Sequence, residues 1–118
     1  MPAGSTETQQ DQVALAEAVR LSALGVRGVV AISSGKGYIE ATYGRNVEVL
    51  GVSISMQGGQ VSADVHLVVA ETPIPALATR VRKAIRKTIR QYADLPVGPI
   101  NLYIDDMEVG DPPLETAL

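Results

Sequence analysis

A chain of 118 residues with a formal net charge of -3 is long enough for one domain, and with no Phe and no Trp its interior has to be built from Val, Ile, Leu and Ala. The absence of cysteine excludes disulfides and thiolate chemistry, and no apolar run approaches the ~18 residues of a membrane span. The start, MPAGSTETQQD, has neither the basic nor the apolar region of a secretory signal, so a cytoplasmic location is expected.

Residues 1–10 are polar and without periodicity and are expected to form a disordered N-terminal tail. A helix is predicted from about Asp11 to Leu24, with Thr8 or Asp11 as cap. Ala14, Leu15, Ala18, Val19 and Leu21 give it a wide apolar face against a narrow stripe carrying Glu17 and Arg20. A face so wide, in a chain with so thin a core, makes Leu15 and Val19 candidates for a self-association face. Gly25 is the expected left-handed cap, and Gly28 to Ile32 the first strand.

The stretch 33–46, SSGKGYIEATYGRN, is irregular and offers two motifs for testing. Gly35-Lys36-Gly37 lacks the Gly five residues before Gly35 and the Ser or Thr after the Lys that a phosphate loop needs, since Val30 and Gly37 stand there. Gly25-Val26-Arg27-Gly28 has the GxxG form that clamps RNA backbone between two helices, but a strand follows it here, and a helix stop with a close turn accounts for it. A hairpin comes next: Leu50, Val52, Ile54 and Met56 alternate up to a turn at 57–60, and Val61, Ala63, Val65, Leu67 and Val69 alternate on the return. His66 falls on the other face with Ser62 and Asp64, which predicts an exposed histidine and a poor metal site.

Residues 77–92, LATRVRKAIRKTIRQY, carry the strongest helical signal. Ile74, Leu77, Ala78, Val81, Ala84, Ile85, Thr88, Ile89 and Tyr92 occupy one arc of roughly 140°, and every charge occupies the rest. Arg80, Arg82, Lys83, Arg86, Lys87 and Arg90 are six of the chain's ten Lys and Arg, concentrated on one surface of an otherwise acidic protein. They form the candidate interaction face, for something acidic. Thr72 is the expected cap, Pro73 and Pro75 lie in the first turn, and Asp94-Leu95-Pro96 stops the helix. Ile100, Leu102 and Ile104 then alternate with Asn101, Tyr103 and Asp105 as a last strand, and residues 109–118 form an acidic tail. Asp105 and Asp106 are adjacent, so on a strand they diverge instead of forming an acid pair.

These elements predict an α+β two-layer sandwich over residues 11–108, with two helices on one face of a three- or four-stranded mixed sheet in the order α-β-β-β-α-β. Gly28-Val29-Val30-Ala31-Ile32-Ser33, Ala41-Thr42-Tyr43-Gly44-Arg45, Gly51-Val52, Val65-His66-Leu67-Val68-Val69 before Pro73-Ile74-Pro75, and Asn101-Leu102-Tyr103-Ile104-Asp105-Asp106 together resemble the alkaline-shock protein family, also called the envelope stress response family, in its actinobacterial form. The resemblance covers about residues 13–108. It implies small cytoplasmic proteins that are not enzymes, associate with themselves, gather near the membrane through a membrane-anchored partner, and serve cell-envelope homeostasis; some paralogues are connected with fatty-acid synthesis. It carries no catalytic, metal or cofactor residues onto this chain. The basic helix and the glycine-poor 38–43 loop depart from the family pattern.

Two function classes follow. One is an envelope protein, expected on family grounds to be a homo-oligomer, docking a membrane-anchored partner or an anionic membrane surface. The other is a nucleic-acid module using the cations of helix 80–90 against phosphates, opposed by the net negative charge and by the presence of only Tyr38, Tyr43, Tyr92 and Tyr103 for stacking. An enzyme is not expected, because no nucleophile with a base, metal-spaced cluster or phosphate loop is found.

Overall fold

The computed structural model describes residues 3–33, 41–43, 48–56 and 58–109. Its elements are α1 (Ala3–Leu24), β1 (Val29–Ile32), β2 (Ala41–Tyr43), β3 (Glu48–Leu50), β4 (Val52–Ser55), β5 (Val61–Ala70), α2 (Ile74–Tyr92) and β6 (Val97–Glu108). The α+β sandwich is as expected: α1 packs against α2, and both lie against a mixed four-stranded sheet.

β5 is the centre of that sheet. Along one edge it pairs in parallel with β6, from Val61 opposite Val97 to Ala70 opposite Glu108. The opposite edge is shared end to end by two antiparallel strands, β4 against Ser62 to Val65 and β1 against Leu67 to Val69. The join falls at His66, whose N–H donates to the Gly51 carbonyl (2.9 Å) while its own carbonyl accepts from the Ser33 N–H (2.9 Å). β1 and β4 therefore act as one strand interrupted by an excursion. Gly51 is required there: its φ is +83°, and a Cβ would stand 2.0 Å from the Ser33 carbonyl oxygen.

β6 carries one extra residue between Val97 and Ile100 and another between Ile104 and Asp106 relative to β5. The second bulge changes the phase of the alternation, so that Met107, opposite Val69, packs on the core and Asp106 does not. From α2, Leu77, Val81, Ile85 and Ile89 are buried, each worth about 1.5–3 kcal/mol of transfer free energy. They meet Val52, Val61, Val65 and Leu67 of the sheet, all fully buried, in a core that contains no aromatic ring.

Several expectations are corrected. The first helix begins at Ala3, not Asp11, so residues 3–10 are helical and neither Thr8 nor Asp11 is its cap. Glu7, Gln9 and Gln10 are straight-chain residues of good helix propensity, and no Gly or Pro follows Gly4 until Gly25. Gly25 is not left-handed; its N–H continues the helix onto Leu21, and it is Gly28, at φ +105°, that turns the chain into β1. Leu50 does not open the hairpin. It belongs to β3, which pairs with β2 in a separate two-stranded sheet across part of the stretch read as irregular, and it is 41% exposed. Pro73, not Thr72, is the N-cap of α2 and makes no side-chain cap bond. The expected phosphate-loop lookalike at 35–37 and the acidic tail from 110 onward lie outside the described residues.

Candidate functional site: the outer face of α2

The apolar stripe of α2 is fixed against the sheet, and that alone turns its cations outward. Between Ile74 and Tyr92 the helix contains no acidic residue. Among the described residues none of its six cations is in an ion pair, so the like-charge rows each cost about 0.2–0.5 kcal/mol without local compensation. Arg90, in the last turn, is favoured by the helix dipole.

The six are not equivalent. Arg80 donates from Nη2 to the Arg27 carbonyl (3.2 Å), tying the α1–β1 turn to the start of α2. Arg82 donates from Nε to the Ile100 carbonyl (2.9 Å), closing a backbone acceptor of β6. Both are anchors of the chain itself. Lys83, Lys87 and Arg90 are exposed and Arg86 is half-buried, and these four make up the face open to a partner. Such a face attracts an acidic surface over roughly a Debye length and weakens with salt.

Leu15 and Val19 are not a contact face: at 2% and 0% exposure they are enclosed by the chain's own core, because α1 lies with α2 over the sheet. The exposed apolar residues of that side are Leu21 and, on neighbouring strands, Val30 and Leu50. An open cleft of about 560 Å³ runs here between α1, β1 and β3, with Leu24, Ile32 and Val49 in its wall and the Glu17–Arg20 pair beside them. The Arg20 guanidinium donates to both Glu17 oxygens (3.2 and 2.6 Å). That hydrogen bonding holds the Glu17 carboxyl below its ordinary value and raises Arg20 above its own.

His66 is the clearest departure from expectation. It is 2% exposed, although it lies on the sheet face turned away from the helices. Its ring stacks on Tyr103 at 4.7 Å and 16°, and Nδ1 lies 3.1 Å and 3.3 Å from the two Asp105 carboxylate oxygens. A carboxylate only accepts, so the hydrogen is assigned to Nδ1. The signal was available as one same-face triplet, since His66 is opposite Tyr103 and Asp105 follows at the bulge. Asp105 and Asp106 do diverge: the first takes His66, the second accepts from the Met107 N–H (2.9 Å). Among the described residues no group of three His, Cys, Asp or Glu side chains can hold a metal ion, and no helix is long and apolar enough to cross a membrane.

A family profile of the alkaline-shock proteins, described as having a cell envelope-related function, matches residues 2–109. No curated protein matches the chain. Among solved structures, the MamM CTD in its copper form is similar in fold, with a TM-score of 0.57 and 16% identity over 88% of this chain and 94% of that one.

Proposed function

This chain belongs to the alkaline-shock protein family, a family of cell envelope-related function, and from that premise we propose that it is a non-enzymatic envelope protein that docks an acidic, membrane-linked partner. One observation supports the reading above the rest. Four cations, Lys83, Arg86, Lys87 and Arg90, stand on the outside of a helix whose apolar face is fully engaged, with no acid on the helix and no ion pair among the described residues. A solvated face gains nothing from such a like-charge row, whereas a docking face gains attraction toward an acidic surface. Self-association, implied by the family resemblance, falls to exposed residues such as Leu21, Val30 and Leu50, not to Leu15 and Val19.

The same cations support a second reading, binding of single-stranded nucleic acid, but stacking partners are few. Tyr92 is the aromatic residue of α2, and Tyr103 is stacked on His66 across the sheet. Reversal of Lys83, Arg86, Lys87 and Arg90 to Glu, followed by cell fractionation, tests the first reading. The folded variant is expected to leave the membrane fraction; wild-type distribution would sink it. A titration with single-stranded RNA across a salt series tests the second, which requires wild-type binding that weakens linearly in log-log form.

A further inference from the structure

The backbone hydrogen bonds of β5 decide which groups of β6 are used and which are left over. The Val61 N–H donates to the Pro96 carbonyl (2.9 Å) and the Glu71 N–H to the Glu108 carbonyl (3.0 Å), whereas His66 donates to Gly51 (2.9 Å) and Ala70 to Gly28 (2.8 Å). Odd-numbered residues of β5 therefore turn their N–H and C=O toward β6, and even-numbered ones toward the other edge. Ala63 is opposite Ile100, Val65 opposite Leu102 and Leu67 opposite Ile104. In that register a parallel ladder engages Asn101 and Tyr103 and leaves the N–H and C=O of Ile100, Leu102 and Ile104 pointing off the sheet. The Ile100 carbonyl agrees with this phase, since it accepts from Arg82 Nε (2.9 Å) and not from β5. Among the described residues no strand lies on that edge.

The open stretch is bounded at both ends. Pro99, which has no N–H, precedes it, and the bulge between Ile104 and Asp106 ends it. What stands over it is positive. Arg82 and Arg86, an i, i+4 pair and both half-buried, lie on the flank of α2 toward β6; the bond from Arg82 to Ile100 fixes that flank, and α1 packs over β1 and β4 instead. That bond uses Nε alone, which leaves the two Nη groups of Arg82 at the edge. At the other end of the stretch Ile104 is 36% exposed, and the acids Asp106 and Glu108 follow it.

We propose that this edge receives an extended acidic segment of the docking partner, which adds to β6 as a further strand of the sheet. The backbone of the segment pairs with Leu102 and Ile104, its carboxylates lie on the α2 side against Arg82 and Arg86, and an apolar side chain covers Ile104. Acids placed further along would meet Asp106 and Glu108, so the negative charge of the segment belongs at the Ile100 end. The inference rests on the preceding reading that α2 receives an acidic partner; the extended conformation and the seat on β6 are additional. A second copy is the competing occupant. Antiparallel pairing of two β6 edges would bring Ile100, Leu102 and Ile104 to the α2 side and no carboxylate, leaving Arg82 and Arg86 unanswered.

Amide hydrogen exchange, read by NMR on the purified full chain, tests it without any variant. In the chain alone the Leu102 and Ile104 amides are expected to exchange about tenfold or more faster than those of Asn101 and Tyr103. A capped peptide alternating Glu and Val over about seven residues should slow Leu102 and Ile104 about tenfold, with an affinity that falls as salt rises; its Lys and Val counterpart should not. Ile104→Pro removes one outward N–H, keeps every cation, and should lower the affinity for the Glu peptide about tenfold. Arg86→Glu should lower it about fivefold at low salt. Unchanged exchange at Leu102 and Ile104 in millimolar Glu peptide overturns the proposal, and so does wild-type affinity in a folded Ile104→Pro chain. Slowing that rises with protein concentration alone assigns the edge to a second copy and overturns it as well. If any of these results accompanies loss of the fourfold charge reversal from the membrane fraction, docking on α2 stands and only the added strand is removed.

Discussion

His66 holds two parts of the sheet at once. Its backbone joins the ends of β1 and β4, and its ring joins β5 to β6 through Asp105 and Tyr103. Replacing it with Ala leaves a carboxylate whose side chain is only 11% exposed without its ring partner. We expect a loss of about 2–4 kcal/mol in urea unfolding, combining the orphaned acceptor with the lost packing. The double-mutant cycle with Asp105→Asn should give a coupling of about 0.5–3 kcal/mol; additive single effects would show that the contact does not contribute. Glu17 offers a weaker pH test. Its carboxyl is lowered by Arg20, so its contribution is present above the unfolded value of about 4.5 and lost as pH falls through the lower folded value. With Glu17 45% and Arg20 34% exposed, the acid limb of stability should change by within about 0.5 kcal/mol in Glu17→Gln.

At the scale of elements, α2 was legible in all but its cap because sixteen residues of one period leave no second solution, and its four buried positions all lie on the expected arc. β4 and β5 were legible for the same reason at period two. The N-terminal turns of α1 were not, since a helix without an apolar stripe is indistinguishable from a polar tail by periodicity. β2 and β3 are three residues each, too short for alternation to register. The burial of His66 escaped because what covers it comes from a strand 37 residues or more away in sequence, in a phase altered by a bulge. The basic face was legible as a set of charges but not as a geometry: that Arg80 and Arg82 anchor the fold depends on carbonyls of Arg27 and Ile100. It follows that the fourfold reversal at 83, 86, 87 and 90 spares both anchors. Thermal unfolding should find that variant folded and within about 2 kcal/mol of wild type: the rows at 83/87 and 86/90 keep like charges with the sign reversed, the new attraction of positions 83 and 86 to Arg80 and Arg82 is worth a few tenths of a kcal/mol per pair, and the dipole cost at Arg90 is about 0.3–1 kcal/mol.

The whole molecule is a two-layer sandwich in an envelope-related family, and the docking proposed for it puts its work on exposed surfaces. The proposed contact surfaces are separate sets of residues: the cations on the outside of α2, and the exposed Leu21, Val30 and Leu50. Leu15→Asp separates core from interface. With the site 2% exposed, the substitution should unfold the chain, seen as loss of helical circular dichroism. A folded variant of reduced mass in light scattering would restore Leu15 to an interface. Leu21→Asp, at a site 55% exposed, should leave the fold intact and lower the mass of any assembly built on that side.

The interruption between β1 and β4 has one more consequence. Chain leaves the sheet at Ser33 and re-enters it at Gly51, and the two positions flank the same residue, His66. The ladder on either side is therefore indifferent to how much chain lies between them, apart from a closure entropy that grows by only about 0.6 kcal/mol per doubling of length. This makes the excursion a natural grafting point so long as β2, β3 and the buried Val49, which belong to it, are kept intact. Sequence added there, whether by gene drift or by an engineer inserting a reporter peptide, lengthens a loop without moving any rung of the central sheet, while α2 and its cations stay where they are.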